Sequence, residues 1–140
     1  MDACELCRLD GGEVVVRTAQ LRIVLVDDAQ YPGFCRVIWN THLAEMTDLV
    51  PAERSTLMAA VCKVEATLRE VMAPHKVNLA SLGNMVPHLH WHVIPRFTDD
   101  AHFPAPIWAA VVRVTPAQAL AERLALLPAL RTALLRNFNV

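Results

Sequence analysis

The chain has 140 residues, enough for one domain, spanning 1–140, with a core of its own and no disulfide staples. Hydrophobic residues make up 54% and charged residues 19%, which excludes intrinsic disorder and points to apolar surface shared with a partner. Thirteen Lys plus Arg against 14 Asp plus Glu leave a net charge of −1, so the chain is no general binder of polyanions such as nucleic acid, and any contact with phosphate is local. No apolar run approaches the ~20 residues of a membrane-spanning helix. The opening MDACELCRLD is acidic and polar, unlike a secretory signal, and the expected location is cytoplasmic. Four cysteines are too few for a disulfide scaffold. Cys4 and Cys7 form a CxxC pair, whereas Cys35 and Cys62 stand in apolar surroundings and read as small buried residues.

Taken in chain order, 13–17 and 21–26 are rich in β-branched residues and read as strands joined by a short turn at Thr18-Ala19-Gln20. A loop over 27–33 ends in Pro32-Gly33, and a third strand runs over 34–40. The clearest helix is 51–72. Pro51 suits its first turn, Thr47 or Asp48 can cap it, and Pro74 stops it. Leu57, Val61, Val64, Leu68 and Val71 recur at helical spacing as one apolar stripe. Strands over 76–82 and 88–95 follow, separated by a Gly83-Asn84 turn. Thr115-Pro116 opens a leucine-rich helix with Leu120, Leu124 and Leu127 on one side, which Pro128 kinks or restarts. Strands mostly adjacent in sequence favour an antiparallel α+β sheet over a parallel one.

Three of the six histidines fall within His88-Leu89-His90-Trp91-His92. In a strand all three imidazoles share one face, and Leu89, Trp91 and Val93 turn to the core. Three readings stand: solvent-facing rings without a role, a metal site on alternate strand histidines, or nucleophilic and acid/base chemistry, to which an imidazole titrating near neutrality is suited.

The run His88-Leu89-His90-Trp91-His92-Val93-Ile94, with 78–87 before it and Ile94-Pro95-Arg96 after it, resembles the histidine-triad (HIT) superfamily of nucleotide hydrolases and transferases. The resemblance extends from about Cys4 to Trp108. It implies a five-stranded antiparallel sheet with one long helix and a C-terminal helix. It also implies cleavage at the α-phosphate of a nucleotide, with His90 as the nucleophile that forms a nucleotidyl-imidazole and His92 beside the scissile phosphate and its leaving group. By the same resemblance Asn84 and the amide of Met85 hold phosphate, and Asp27 binds the ribose hydroxyls, with Asp28 a close rival. Candidate substrates are dinucleoside polyphosphates, nucleoside phosphoramidates and aminoacyl adenylates. The alternatives are nucleotidyl transfer to an acceptor other than water, and a zinc-stabilised nucleotide-binding module with vestigial activity.

Two departures from the family pattern bear on activity. Gly33-Phe34 stands where many members have Gly-His, whose histidine braces the nucleophile, and Met85 stands where others have Ser or Thr. Some HIT members and the related galactose-1-phosphate uridylyltransferases join a CxxC to a histidine after the third strand and to the first triad histidine. The resemblance therefore implies a structural zinc on Cys4, Cys7, His42 and His88. His75 reads as solvated, and His102 lies in a loop that borders the site. A homodimer is expected from the apolar content and from Met58, Ala59, Cys62 and Ala66 beside the main helical stripe. HIT relatives likewise pair their long helices and sheet edges.

Overall fold

In a computed structural model, residues 3–139 are described, so Met1, Asp2 and Val140 of the sequence reading lie outside the described residues. Five strands, β1 (Glu13–Arg17), β2 (Leu21–Leu25), β3 (Cys35–Trp39), β4 (Lys76–Ala80) and β5 (His90–Arg96), form one sheet in the order β1-β2-β3-β5-β4. Every neighbouring pair is antiparallel, as the spacing of the strands predicts. The strands are shorter than the apolar runs suggest. Val26, Phe34 and Asn40 flank the ladders, β4 stops at Ala80 rather than Leu82, and β5 begins at His90 rather than His88.

The long helix α2 occupies Pro51–Met72, as predicted. Its cap differs from the prediction: the Glu53 carboxylate turns back to accept the Val50 N–H at 3.2 Å. Asp48 instead accepts the Glu45 N–H and closes the 3-10 turn Met46–Asp48. Leu57, Val61, Val64 and Leu68 are fully buried, and each buried aliphatic side chain contributes about 1.5–3 kcal/mol. Val71 is half-buried and Met72 takes its place in the core, because the stripe drifts round the helix over 22 residues. Cys62 is exposed, against expectation, since it lies one residue and about 100° beyond the buried Val61. Gly33 has φ +92 and packs against Met72, where a Cβ would collide with the sulfur.

The C-terminal helix is two helices, α3 (Ala117–Leu124) and α4 (Leu127–Asn137), with Pro128 in the first turn of the second. Of the predicted leucine face, Leu124 is exposed and α3 buries nothing fully. It is α4 that packs on α2, through Leu130, Ala133 and Leu134. A four-residue helix, α1 (Glu5–Arg8), has no sequence signal long enough to predict it.

α2 and α4 cover one face of the sheet, where Ile23, Val37, Trp39 and Val93 meet the helical stripe. The opposite face carries Arg22, Val24, Arg36, Ile38, His90 and His92. This follows from the register, which pairs Arg36 with His92 and Ile38 with His90 across β3 and β5. α1 covers one end of that face, with Leu6 against Val24 and Ile38. The rest of it carries Arg36, His90 and His92.

Candidate active site and metal centre

At the α1 end, four side chains converge from three separate stretches of chain. Cys4 Sγ lies 3.4 Å and Cys7 Sγ 3.6 Å from His88 Nδ1. Cys7 Sγ lies 3.4 Å from His42 Nδ1, and the two Nδ1 atoms are 3.3 Å apart. All four donor atoms fall within 4.8 Å of one another. A tetrahedral ion with metal–sulfur bonds of about 2.3 Å and metal–nitrogen bonds of about 2.0–2.1 Å separates an S and an N ligand by about 3.6 Å and two N ligands by about 3.3 Å. The observed spacings match those edges. His88 Nε2 donates to the Trp39 carbonyl at 2.6 Å, so Nδ1 is the nitrogen with a free lone pair. Although desolvation opposes it, hydrogen bonds from Cys7 and Leu6 lower the Cys4 thiol pKa. The four residues fit a Cys₂His₂ metal centre. Arg22, a charge inside the apolar strand β2, fixes the segment that carries Cys4 and Cys7. It is 5% exposed and donates to the carbonyls of Leu6, Leu9 and Asp10 and to Asn40 Oδ1. That fork pins the N-terminal segment to the sheet.

The other two triad histidines stand further along the same face, each only 7% exposed, with ring centroids 4.9 Å apart. His90 Nδ1 donates to the His88 carbonyl at 2.5 Å, which leaves Nε2 unprotonated. This hydrogen bond orients the His90 ring without any histidine at position 34, where Phe34 stands. Desolvation lowers the His90 pKa, opposed by that hydrogen bond. A cleft between 44–47 and the turn at Ser81, Leu82 and Gly83 opens onto His90, and Ser81 Oγ donates to the His90 carbonyl at 2.9 Å. The sequence reading did not single out Ser81.

His92 is enclosed by Phe34 and Trp108, at 5.7 and 5.2 Å between ring centroids. Desolvation, with smaller contributions from His90 and Arg36, pushes its pKa down to about 4. It is therefore neutral at pH 7. Trp108 is half-exposed and meets the His92 ring edge-on.

Asp27 is exposed, and its carboxylate makes no hydrogen bond among the described residues. Asp28 instead caps its own turn by accepting the Gln30 N–H. Asn84 and Met85 lie in an exposed turn, with Met85 93% exposed. That places them at the open rim near His88, outside the packed part of the face.

The loop after β5 is fixed by a buried network the sequence did not reveal. Arg96 and Asp100, 2% and 1% exposed, form a two-bond ion pair at 2.8 and 3.1 Å. Asp100 also accepts the N–H groups of Phe97, His102 and Phe103 and the Tyr31 hydroxyl. Against the cost of desolvation, these bonds hold its carboxyl well below the usual range. His102 is buried on Tyr31 and so belongs to this network rather than to the site. His75 is exposed, as predicted.

Comparison with known proteins places this geometry. The family model described as HIT domain matches residues 11–99. The AP-4-A phosphorylase of Mycobacterium tuberculosis is 33% identical over 98 residues, 66% of this chain and 50% of that protein. The asymmetrical bis(5'-nucleosyl)-tetraphosphatase of Schizosaccharomyces pombe is 33% identical over 74 residues, 49% of this chain and 41% of that protein. The chain thus spans about half the length of the curated relatives it matches. A histidine triad protein from Bradyrhizobium japonicum superposes with a TM-score of 0.72 at 26% identity, covering 91% of each chain. A zinc-bound histidine triad family protein from Mycobacterium smegmatis superposes with a TM-score of 0.65 at 21% identity, covering 96% and 95%. The chain belongs to the HIT domain family, the histidine-triad proteins.

Proposed function

We propose that this chain, as one HIT-like domain, cleaves a dinucleoside polyphosphate at its α-phosphate through a covalent nucleotidyl-His90 intermediate. The observation that carries the reading is the His90–His88 backbone hydrogen bond, which leaves Nε2 as the unprotonated nitrogen of a ring that lines the cleft. In the first step the Nε2 lone pair forms a bond to the α-phosphorus while the bond to the bridging oxygen breaks, and the polyphosphate leaves with that electron pair. Nδ1–H, held by the His88 carbonyl, stabilises the charge that develops on the ring. Water then attacks the phosphorus while the P–Nε2 bond breaks, the electron pair returns to the imidazole, the water proton passes to solvent, and the nucleoside monophosphate is released. Asp27 binds the ribose hydroxyls, and Asn84 with the Met85 amide holds phosphate oxygens at the rim.

A neutral His92 serves as a hydrogen-bond donor to phosphoryl oxygen better than as a strong acid. That favours a polyphosphate, which leaves as a stable anion, over the amine of a phosphoramidate, which needs a proton. The names of the two relatives, a phosphorylase and a tetraphosphatase acting on nucleosyl polyphosphates, support the same substrate class. They also support a second reading, in which inorganic phosphate replaces water as the acceptor.

Zinc on Cys4, Cys7, His42 and His88 completes the proposal. Bound there, it ties the N-terminal segment to the strand that carries the nucleophile, and His88 serves as a ligand rather than a base. A homodimer is proposed through the exposed flank of α2 at Cys62 and Ala66 and the free edge of β4 at Leu79. α4 covers a different flank, at Lys63 and Thr67.

Incubation with diadenosine tetraphosphate, with and without inorganic phosphate, tests the reaction. Water as acceptor yields AMP and ATP, and phosphate as acceptor yields ADP and ATP. His90→Ala is expected to lower either rate by several orders of magnitude. A His90→Ala protein that keeps a tenth of the wild-type rate overturns the covalent route. Wild-type protein that binds AMP and turns over neither way establishes the vestigial alternative.

A further inference from the structure

Three arginines are drawn into the sheet or its margins, and two of them are saturated. Arg22 donates to four acceptors. Arg96 donates to Asp100, Asn78 and Ala105. Arg36 differs. Only its Nη1 has an acceptor among the described residues, the Gly11 carbonyl at 2.8 Å, and no carboxylate among them forms an ion pair with it. Its Nε is buried without a partner. With Nη1 tied and Nε buried, Nη2 is the guanidinium nitrogen left to lead a contact with an anion, and Nε lies on the same edge.

Its position gives that edge a purpose. Arg36 is the cross-strand neighbour of His92, and its charge bears on both His90 and His92. Among the described residues, the only two buried side-chain polar atoms without a hydrogen bond are Arg36 Nε and His92 Nδ1. They belong to this one pair. Among the described residues, the only carboxylate whose charge bears on Arg36 is Glu5, which forms no ion pair with it, and a half-buried guanidinium left partly unpaired beside two imidazoles calls for a partner, an anion among the candidates. Phe34 lies against both, its ring 5.9 Å from the guanidinium carbon, so no histidine at that position competes for the anion.

We propose that Arg36 and His92 together form an anion subsite that grips the non-bridging oxygens of the nucleotide's phosphate, with Nη2 as the leading contact and the two orphaned nitrogens completing the shell. The proposal rests on the nucleotide reading given above and adds a cation to it that the triad does not supply.

The test is AMP binding by calorimetry at several salt concentrations, using wild type, Arg36→Met and Arg36→Lys, each checked for unchanged melting and metal content. Loss of a charge-assisted pair of hydrogen bonds is expected to weaken AMP by about ten- to a hundredfold in Arg36→Met. Arg36→Lys should restore part of that loss, and the salt dependence should be shallower in Arg36→Met than in wild type. A packing role for Arg36 would instead weaken both variants equally and leave the salt dependence unchanged, which overturns the subsite. So does Arg36→Met protein that binds AMP within twofold of wild type. Wild-type protein that fails to bind AMP at all overturns the nucleotide reading itself, and the subsite with it.

Discussion

Replacing Asp100 with Ala tests whether the loop after β5 is held as described. The carboxylate accepts from Arg96 Nε and Nη2 at 2.8 and 3.1 Å, from the N–H groups of Phe97, His102 and Phe103 at 3.1, 3.1 and 2.7 Å, and from the Tyr31 hydroxyl at 3.2 Å. Asp100→Ala leaves the Arg96 charge, 2% exposed, with only the Asn78 and Ala105 oxygens. Removing one partner of a buried pair costs about 3–5 kcal/mol, a large share of the roughly 5–15 kcal/mol that holds a domain together. At about 2–4 °C per kcal/mol for a chain of this size, melting should fall by about 6–20 °C. Asp100→Asn keeps one acceptor oxygen but not the charge, and should fall between wild type and Asp100→Ala. The same loop leads to Trp108 on the His92 ring, so tryptophan fluorescence should change along with stability. Thermal and urea unfolding at neutral pH measure the effect. A shift under about 3 °C for Asp100→Ala refutes the claim that this network anchors the loop.

Cys4→Ser should lose about one bound metal per chain and melt at a lower temperature, since a structural zinc contributes folding energy; metal-free protein with unchanged melting rejects the centre. His92, held at about 4 against about 6.5 unfolded, favours the neutral folded form. Its contribution is full above pH 6.5 and is lost as the pH falls through 4. Relative to His92→Gln, wild type should therefore lose about 2 kcal/mol of stability over that window after allowance for screening, and parallel stability curves contradict the burial of this ring. Light scattering at micromolar concentration should give twice the chain's 15.5 kDa. A monomer refutes the dimer, and an intact dimer in Cys62→Asp refutes only its placement.

The parts of the fold that the sequence made legible are those with a period. Five apolar runs and the spacing of Leu57, Val61, Val64 and Leu68 specify the sheet and α2, because burial on one face leaves a mark at every second or every third to fourth residue. The triad, the CxxC and His42 were legible as chemistry, and the four metal-site residues come together as expected. What escaped has no local mark. α1 is too short for a period and is held by Arg22 from a distant strand. The Arg96–Asp100 network depends on contacts with Tyr31 far upstream. Arg36 reads along the strand as an ordinary solvent-facing charge, and only the β3–β5 register sets it beside His92. Cys62 was misplaced because apolar neighbours in sequence do not share a face on a helix.

The central claim is a covalent bond between His90 and a nucleotide. Mixing the protein with diadenosine tetraphosphate, quenching within the first turnover and analysing the intact chain and its peptides by mass spectrometry tests it directly. An adenylyl adduct confined to the peptide that carries His90, and absent from His90→Ala, is the predicted result. Product formation by wild-type protein with no adduct at any quench time, or an adduct that persists in His90→Ala, contradicts it.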